Sequence, residues 1–240
     1  DLTRSRGLGD VYKRQPSGPE TEMDFYDEEN QHKLLIAFEM PDANTADNFS
    51  GKYVQENTYT FDKDLFENCQ DNVSLHGFFQ TEKYFKHIEN EIRKDFTFKK
   101  DWLEPCKECI EGNEYIGLHI RRTDYVQKQN YHPLCTLEYY EKALKKLPDT
   151  KVIIVSDDPE WCENQSLFES DRFLVSGSKN NIIDMCILSL CKYHVIANSS
   201  FSWWGAWLAE SQKVIAPKVW FGSHANLDES DIVPENWERI

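Results

Sequence analysis

The segment YIGLHIRRTDY, residues 115–125, decides the fold class of this chain. It begins with a short apolar run at 115–120 and changes at once to a charged turn that contains Arg121 and Arg122. A short apolar run bounded by polar residues is typical of a strand that is buried on both faces of a parallel sheet. We therefore predict a buried strand whose carboxyl end carries two adjacent guanidinium groups.

The chain beyond this strand alternates between apolar runs and helical patterns. Thr136 is placed to cap a helix that Pro148 ends. Such alternation is typical of βαβ units, so we predict an α/β fold class with a parallel sheet. The further predicted strands are 151–155, 173–175, 194–197 and 214–216, and the further predicted helices follow Pro159, cover about 181–192 and run through Trp203 to Leu208.

The residues ahead of this region are less regular. Residues 1–15 resemble the translation of a sequencing-library adapter, and we leave them out of the fold prediction. Residues 16–74 are polar and acidic, with one apolar run at 34–38 that suits a buried strand or a short helix. Between Glu82 and Phe98, apolar residues recur at helical spacing, which predicts an amphipathic helix.

The composition excludes several classes of protein. The 27 Lys and Arg residues against 42 Asp and Glu residues give a net charge of −15. Such a chain repels nucleic acid at long range, so no nucleic-acid partner is expected and any phosphate needs a local basic site. The seven cysteines have no disulfide-framework spacing, and no apolar signal peptide opens the chain, which favours a reducing cytoplasm. No transmembrane segment is predicted.

Three polar clusters follow predicted strands, at residues 119–125, 156–158 and 198–200. The carboxyl ends of parallel strands share one edge of a sheet, and α/β proteins bind ligands at that edge. Two guanidinium groups there suit a diphosphate, because a planar guanidinium binds phosphate through two parallel hydrogen bonds. The alternative is that Arg121 or Arg122 forms a structural ion pair with a nearby carboxylate such as that of Asp124.

Ser199 and Ser200 lie where a strand becomes a helix. Their hydroxyl groups and the N–H groups of the first helical turn form an anion site, although a serine at this position is also an ordinary N-cap. Combined with the arginine pair, such a site can hold one pyrophosphate without a metal. The D-x-D sequence at 62–64 has the form of a metal-binding pair, but we interpret it as solvated surface.

Asp184 is a carboxylate on an otherwise apolar helix, where an unpaired charge is costly. A guanine base offers two adjacent N–H donors that a carboxylate accepts together. The alternative is an aspartate at the start of a helix that interacts with the helix dipole. Cys106 and Cys109 have the C-x-x-C spacing, but no second pair of Cys or His lies near them, so we predict no zinc or redox site.

Four ordered segments resemble the α-1,2-fucosyltransferases of bacteria and animals. HIRRTDY at 119–125 resembles the family motif H-x-R-R-x-D-Y, and SDDPEW at 156–161 resembles S-D-D-x-x-W. NSSFSWWGAWL at 198–208 is similar to a highly specific run of that family, and HGFFQTEKYF at 76–85 matches an upstream family segment. The resemblance covers about residues 34–240.

This resemblance implies a GT-B-type fold with two Rossmann-like halves that contain parallel sheets. Residues 16–112 would be the remainder of the N-terminal, acceptor-side half, and residues 113–240 would be the C-terminal half that binds GDP-fucose. The Gly-rich opening of the family is absent, so the N-terminal half is expected to be incomplete. The expected location is the bacterial cytoplasm, with a peripheral position at the inner membrane as an alternative.

The implied activity is the transfer of L-fucose from GDP-fucose to the 2-hydroxyl of a galactose-terminated glycan, with inversion and without a cofactor or metal. By the same resemblance, Arg121 binds the β-phosphate and acts in catalysis, and Arg122 supports the site. Asp124 is the candidate base, or it is structural and locks Arg122. The other candidates for donor binding are His119, Asp157, Asp184, Asn198, Ser199 and Ser200.

Two rival functions stay open. A non-catalytic fragment that binds a GDP-sugar or a glycan would bind GDP without transferring a sugar. A different GT-B glycosyltransferase would prefer UDP or ADP ligands, and a scaffold protein would bind no nucleotide. Nucleotide binding therefore discriminates among these functions.

Overall fold

The structure is a computed structural model, and it describes residues 37–40, 51–110, 114–178 and 180–240. The chain divides into two compact units. The first contains the described residues up to Lys99 together with Asp228–Pro234, and the second contains the described residues of Lys100–Leu227 together with Glu235–Ile240. The predicted adapter at 1–15 and most of the apolar run at 34–38 lie outside the described residues.

The first unit contains a two-stranded parallel sheet. Strands β1 (Lys52–Gln55) and β2 (Val73–His76) pair along their whole length, with Lys52 opposite Val73. Helix α1 (Lys63–Asn68) connects them, and its N-cap is Asp62, whose Oδ1 accepts a hydrogen bond from the Leu65 backbone N–H at 2.9 Å. The D-x-D sequence therefore begins a helix.

The predicted single helix between Glu82 and Phe98 is wrong in its extent. Two 3₁₀ turns (Glu82–Tyr84 and Lys86–Ile88) precede the α-helix α2 (Glu89–Asp95). The backbone leaves helical geometry at Phe85, with φ −133° and ψ 2°, where the side chain is buried. Burial of this ring therefore outweighs the helical spacing of its neighbours in the sequence.

The second unit is a six-stranded sheet in which every pairing is parallel. Apolar side chains of its strands and helices form the buried core, among them Ile116, Leu118, Ile154 and Tyr140. Such burial on both faces explains the continuous apolar runs in the sequence. The strands are β3 (Tyr115–Ile120), β4 (Lys151–Ser156), β5 (Phe173–Val175), β6 (Tyr193–Val195), β7 (Lys213–Ala216) and β8 (Glu238–Arg239). The helices are α3 (Lys100–Cys109), α4 (Leu137–Leu144), α5 (Pro159–Glu163), α6 (Asn181–Ser189) and α7 (Ser200–Leu208).

The strand order in this sheet is β5-β4-β3-β6-β7-β8. Successive strands are added outward from β3 in one direction and then, beginning with β6, in the other. This is the order of a doubly wound Rossmann-like sheet, and its topological switch point lies between β3 and β6. The predicted α/β class with parallel sheets is confirmed, and the carboxyl ends of β3 and β6 mark the expected ligand crevice.

The division between the two units differs from the predicted boundary at residues 112 and 113. It falls between Lys99 and Lys100, because α3 packs against α6, where the Cys106 thiol donates to the Ile183 carbonyl at 3.8 Å. Within the first unit, the Asp231 carboxylate accepts from the Phe61 backbone N–H at 3.0 Å, which ties 228–234 to that unit. The assignment of the units to acceptor and donor stays a prediction.

Candidate functional site

Arg121 follows β3 at the switch point, and it lies between two carboxylates. Its Nη2 is 2.7 Å from Asp124 Oδ1, and its Nη1 is 3.0 Å from Asp157 Oδ2. About a quarter of the side chain, 24%, stays exposed. The guanidinium is thus oriented by charge on two sides and still reaches solvent at the carboxyl edge of the sheet.

Arg122 has a different environment from its neighbour. Its Nε donates to Asp158 Oδ2 at 3.0 Å, and its Cζ lies 3.8 Å from the centre of the Trp161 ring. Asp158 also caps α5 by accepting from the Trp161 backbone N–H at 3.2 Å. Ion pairs with nearby carboxylates, the alternative considered above, are therefore present at both arginines: Arg121 pairs with Asp124 and Asp157, and Arg122 pairs with Asp158. The expectation that Asp124 locks Arg122 is wrong, because Asp124 pairs with Arg121.

Asp157 organises the turn after β3. Its Oδ1 accepts from the Arg122 backbone N–H at 2.8 Å, and its Oδ2 accepts from the Thr123 backbone N–H at 3.1 Å. The Thr123 hydroxyl and the Arg121 guanidinium also bind Oδ2. The Asp157 carboxylate, which we predicted to contact the donor, therefore binds the turn that carries Arg121 and Arg122.

His119, the penultimate residue of β3, is buried with 4% of its surface exposed. Burial lowers the pKa of its imidazole to about 3, so the ring is neutral near pH 7. Its Nδ1 is buried and has no hydrogen-bond partner in the described part of the chain. The ring centre is 5.3 Å from that of Phe201, in the first turn of α7, so a neutral hydrogen-bonding group lies beside that helix terminus.

The amino end of α7 is at the N-cap residue Ser199, and the Ser199 side chain makes no capping hydrogen bond. Ser199 is therefore the N-cap residue, as one alternative predicted, but its side chain does not cap the helix. Ser200, the first helical residue, is exposed. Because the first N–H groups of a helix have no intrahelical acceptor, this end of α7 presents donors and the positive end of the helix dipole.

Asn198 is 2% exposed and connects three loops. Its Nδ2 donates to the Trp220 carbonyl at 2.9 Å, and its Oδ1 accepts from the Cys135 thiol at 3.6 Å. Its backbone carbonyl accepts from the Tyr125 hydroxyl at 3.0 Å. The predicted donor contact stays untested, while the observed contacts fix the end of β6 to the loops that follow β3 and β7.

Asp184 lies in the first turn of α6, and it accepts a hydrogen bond from the Ser176 hydroxyl at 2.7 Å. Burial raises the pKa of this carboxyl to about 6, and the bond from Ser176 partly opposes that rise. Ser176 follows β5, which is two strands from β3 and therefore roughly 10 Å along the edge of the sheet. Asp184 and Arg121 thus belong to the same carboxyl edge without touching.

The sequence model described as Glycosyl transferase family 11 matches residues 31–240. The chain belongs to this family. The match includes both compact units and all of the strand ends described above. The family 11 assignment therefore covers the whole candidate site.

Three curated relatives are similar to this family 11 chain. An alpha-1,2-colitosyltransferase of Escherichia coli is 35% identical over 75% of this chain and 67% of its own length. The O-antigen biosynthesis glycosyltransferase WbnK of Escherichia coli is 31% identical over 74% of this chain and 65% of its own length. Galactoside alpha-(1,2)-fucosyltransferase 1 of Rattus norvegicus is 22% identical over 69% and 55%. The chain thus spans about half to two thirds of these proteins.

Among solved structures, the fucosyltransferase NodZ from Bradyrhizobium aligns with a TM-score of 0.45 at 16% identity. The alignment covers 67% of this chain and 60% of that one. A similarity this low carries no information about the site, so the family 11 site is defined by the contacts within this chain.

A second family 11 segment, HGFFQTEKYF, surrounds a buried carboxylate in the first unit. Glu56 Oε2 accepts from the Phe78 and Phe79 backbone N–H groups, each at 2.9 Å, and Oε1 accepts from the Tyr84 hydroxyl at 2.9 Å. A Cβ on Gly77 would lie 2.4 Å from the Glu56 Cβ, so only glycine fits there. Burial raises the pKa of the Glu56 carboxyl.

Several residues of these sites were missed at the level of the sequence. Asp158 and Trp161 lie inside the SDDPEW segment. Their three-residue spacing is that of a helix N-cap and the N–H group it binds, and this spacing could have identified Asp158 as a cap. Ser176 directly follows a predicted strand, and the rule that selected the other strand ends selects it as well. Glu56 follows β1 but had no signal, because its donors come from residues 78–84.

Two further findings concern ions and membranes. Among residues 37–40, 51–110, 114–178 and 180–240, no group of three or more His, Cys, Asp or Glu side chains is arranged to hold a metal ion. Cys106 is buried and Cys109 is exposed, and both are free thiols. In the same described ranges, no helix is both long and apolar enough to cross a membrane.

Proposed function

We propose that this chain carries the donor site of an inverting α-1,2-fucosyltransferase that uses GDP-fucose. The observation that carries the proposal is the switch point of the sheet, where Arg121 and the uncapped amino end of α7 follow the neighbouring strands β3 and β6. A cation and a helix terminus at that place suit a diphosphate. The partly exposed Arg121 would bind the β-phosphate, and Ser199, Ser200 and the first amides of α7 would bind the same group.

The nucleoside would extend from the diphosphate towards β5. Asp184 would accept the two adjacent N–H donors of guanine, while Ser176 keeps the carboxylate oriented. His119, which is neutral and has an unsatisfied Nδ1, would hydrogen-bond the ligand near the ribose or phosphate. Arg122 and Asp157 would support the site through the turn, in agreement with the supporting role expected for Arg122.

The chemistry proposed is a single displacement. The 2-hydroxyl oxygen of a galactose-containing acceptor forms a bond to the anomeric carbon of fucose, and the bond from that carbon to the β-phosphate oxygen breaks with inversion. GDP leaves with the electron pair, and the acceptor proton passes to a carboxylate, for which Asp124 is our candidate. Arg121 and the end of α7 would stabilise the charge that develops on the diphosphate, and the proposal needs no metal.

Colitose is a second candidate for the transferred sugar. Of the three relatives described above, the one with 35% identity is named a colitosyltransferase. Colitose is fucose without its 3-hydroxyl group. Both sugars leave GDP by the same chemistry, so the strand-end site suits either donor. Transfer assays with GDP-fucose and with GDP-colitose, in competition and at equal concentration, separate the two candidates.

The arrangement of the whole enzyme is part of the proposal. It would be of the GT-B type, with the first unit on the acceptor side, and it would act in the cytoplasm or at the inner face of a bacterial membrane. Its acceptor would be a galactose-terminated glycan. A non-catalytic GDP-sugar or glycan-binding role would instead show GDP binding without sugar transfer to a galactose-terminated acceptor.

The test is calorimetric titration of the chain with GDP, with UDP and ADP as controls, first without and then with Mg²⁺. We expect GDP to bind selectively without the metal and its affinity to fall in Arg121→Ala. Equal binding of the three nucleotides, or no binding by a folded chain, contradicts the proposal. A strict requirement for Mg²⁺ contradicts its metal-free part.

A further inference from the structure

We propose that donor binding transfers Arg121 from Asp124 to the diphosphate and thereby releases the Asp124 carboxylate. This inference rests on the proposed function, and it assigns opposite roles to the two carboxylates that flank Arg121. Asp157 holds the turn in position, while Asp124 competes with the donor until the donor displaces it.

The first reason is the number of bonds that hold each carboxylate. Asp157 accepts from two backbone N–H groups and one hydroxyl of the turn besides the guanidinium, so it stays in place if Arg121 moves. Asp124 has Arg121 as its ion-pair partner in the described structure. Although Asp124 Oδ1 is 2.7 Å from Arg121 Nη2, this buried oxygen makes no well-directed hydrogen bond. The Asp124 pair is therefore the weaker of the two.

The second reason is the balance of charge at this edge. Three carboxylates contact two guanidinium groups here, so the cluster is net negative. Arg122 is already engaged by another carboxylate, because its Nε donates to Asp158 and its guanidinium lies over the Trp161 ring. A diphosphate adds further negative charge, and it binds well only if one acidic partner gives up its guanidinium.

The third reason is geometric. Each terminal nitrogen of Arg121 already contacts one carboxylate, Nη1 that of Asp157 and Nη2 that of Asp124. A phosphate that binds through parallel N–H groups needs at least one of these nitrogens. Because Asp157 is anchored by the turn, Nη2 is the nitrogen that becomes available when the Asp124 contact breaks.

The consequence is a link between the two substrates. Before the donor binds, the Asp124 carboxylate is engaged by the Arg121 guanidinium. After the exchange, its carboxylate is unpaired beside the bound sugar nucleotide, where it can accept the proton of the acceptor hydroxyl. The base thus becomes available only in the donor complex, which favours binding of donor before acceptor.

The test compares isosteric variants by calorimetric GDP titration. In Asp124→Asn we expect GDP affinity to rise about threefold to tenfold, because Arg121 loses its competing partner. In Asp157→Asn we expect affinity to fall about tenfold, because the turn loses an acceptor. Asp149→Asn removes a carboxylate that pairs with Arg172 at 3.3 Å and is 93% exposed, so this charge-matched control should bind like the wild type.

A double-mutant cycle separates ion-pair exchange from simple repulsion between Asp124 and the diphosphate. In an Arg121→Ala background, measured at protein concentrations suited to weak binding, exchange predicts that Asp124→Asn gives no gain, whereas direct repulsion predicts that the gain persists. Melting curves by circular dichroism check that each variant is folded. An unchanged or lower affinity in Asp124→Asn, or a gain that persists without Arg121, overturns the inference. Failure of the wild type to bind GDP overturns the proposed function on which it rests.

Discussion

Glu56 in the first unit and Asp157 in the second perform the same local task with different partners. Each carboxylate accepts from two consecutive backbone N–H groups and so fixes a turn after a strand. Glu56 completes its shell with the Tyr84 hydroxyl, a neutral donor. Asp157 completes its shell with Arg121, a cation that is partly exposed.

This difference distinguishes a structural carboxylate from one that supports a binding site. The donors to Glu56 from Phe78, Phe79 and Tyr84 are neutral groups of the same unit, so an anionic ligand gains little by replacing one of them. Around Asp157, the Arg121 guanidinium is a charged and partly exposed donor that an anion can share. A turn fixed by a carboxylate therefore points to function when one of its donors is an exposed cation.

The largest expected effect is on Arg121. Arg121→Ala should lower the rate of fucosyl transfer by about a hundredfold or more, because the charge on the departing diphosphate loses its cation. The matched Arg172→Ala change removes an arginine that binds Thr150 and Pro148 carbonyls at the opposite edge of the sheet, and it should leave the rate nearly unchanged. Initial-rate assays with purified variants measure both effects, and similar rate losses in the two variants would contradict a special role for Arg121.

Glu56→Ala should act on stability. We expect the first unit to lose about 2 kcal/mol of free energy of unfolding, because two partly buried N–H groups and one hydroxyl lose their acceptor. Glu67→Ala, at a side chain that is 56% exposed, should stay within about 0.5 kcal/mol of the wild type. Urea unfolding followed by circular dichroism measures both, and a loss of GDP affinity in place of stability would make Glu56 a second site residue.

Asp184 is an intermediate case, with one neutral donor and a pKa raised to about 6. If the ionised Asp184 carboxylate accepts hydrogen bonds from guanine, GDP affinity should fall about tenfold for each pH unit below about 6. The GDP phosphate also titrates in this region, so Asp184→Asn is the control. A step in affinity that persists in this variant belongs to the phosphate, and it would remove Asp184 from the binding site.

The same shift predicts the sign of a stability change. The ordinary pKa of this carboxyl is 3.8, so the folded chain binds more protons than the unfolded chain between about pH 4 and 6. The free energy of unfolding of the wild type, relative to Asp184→Asn, should therefore decrease as pH rises through this window. Unfolding curves at pH 4, 5, 6 and 7 test it, and a constant difference would contradict the raised pKa.

The smallest effect expected concerns Tyr84. Tyr84→Phe removes one of the three donors to Glu56 and the acceptor for the Asp62 backbone N–H, and it should cost about 1 kcal/mol. Tyr131→Phe is the matched control, because the same hydroxyl is removed from a tyrosine that is 52% exposed. Urea unfolding measures both variants, and an effect larger than that of Glu56→Ala would show that the Glu56 shell is not what stabilises this turn.

The second unit could be predicted from the sequence to a large extent, since strands such as β3 and β4 are continuous apolar runs with polar residues at their carboxyl ends. The strand-end rule also selected Arg121, Asp157 and Ser199. It could not show which carboxylate pairs with which arginine, because Asp124 and Asp158 are both within reach of a flexible side chain. The helix broken at Phe85 could not be predicted either, because the spacing of apolar residues does not show where the backbone leaves helical geometry to bury one of them.

The pairing of β3 with β6 has a consequence for how the second unit folds. Gly117 of β3 lies opposite His194 of β6, and the chain between them forms β4 and β5. Such a contact between residues distant in sequence forms slowly, since a long loop must close first. The crevice at the switch point is complete only once this contact is made, so a nucleotide that binds only there would report completed folding and would stabilise the folded sheet.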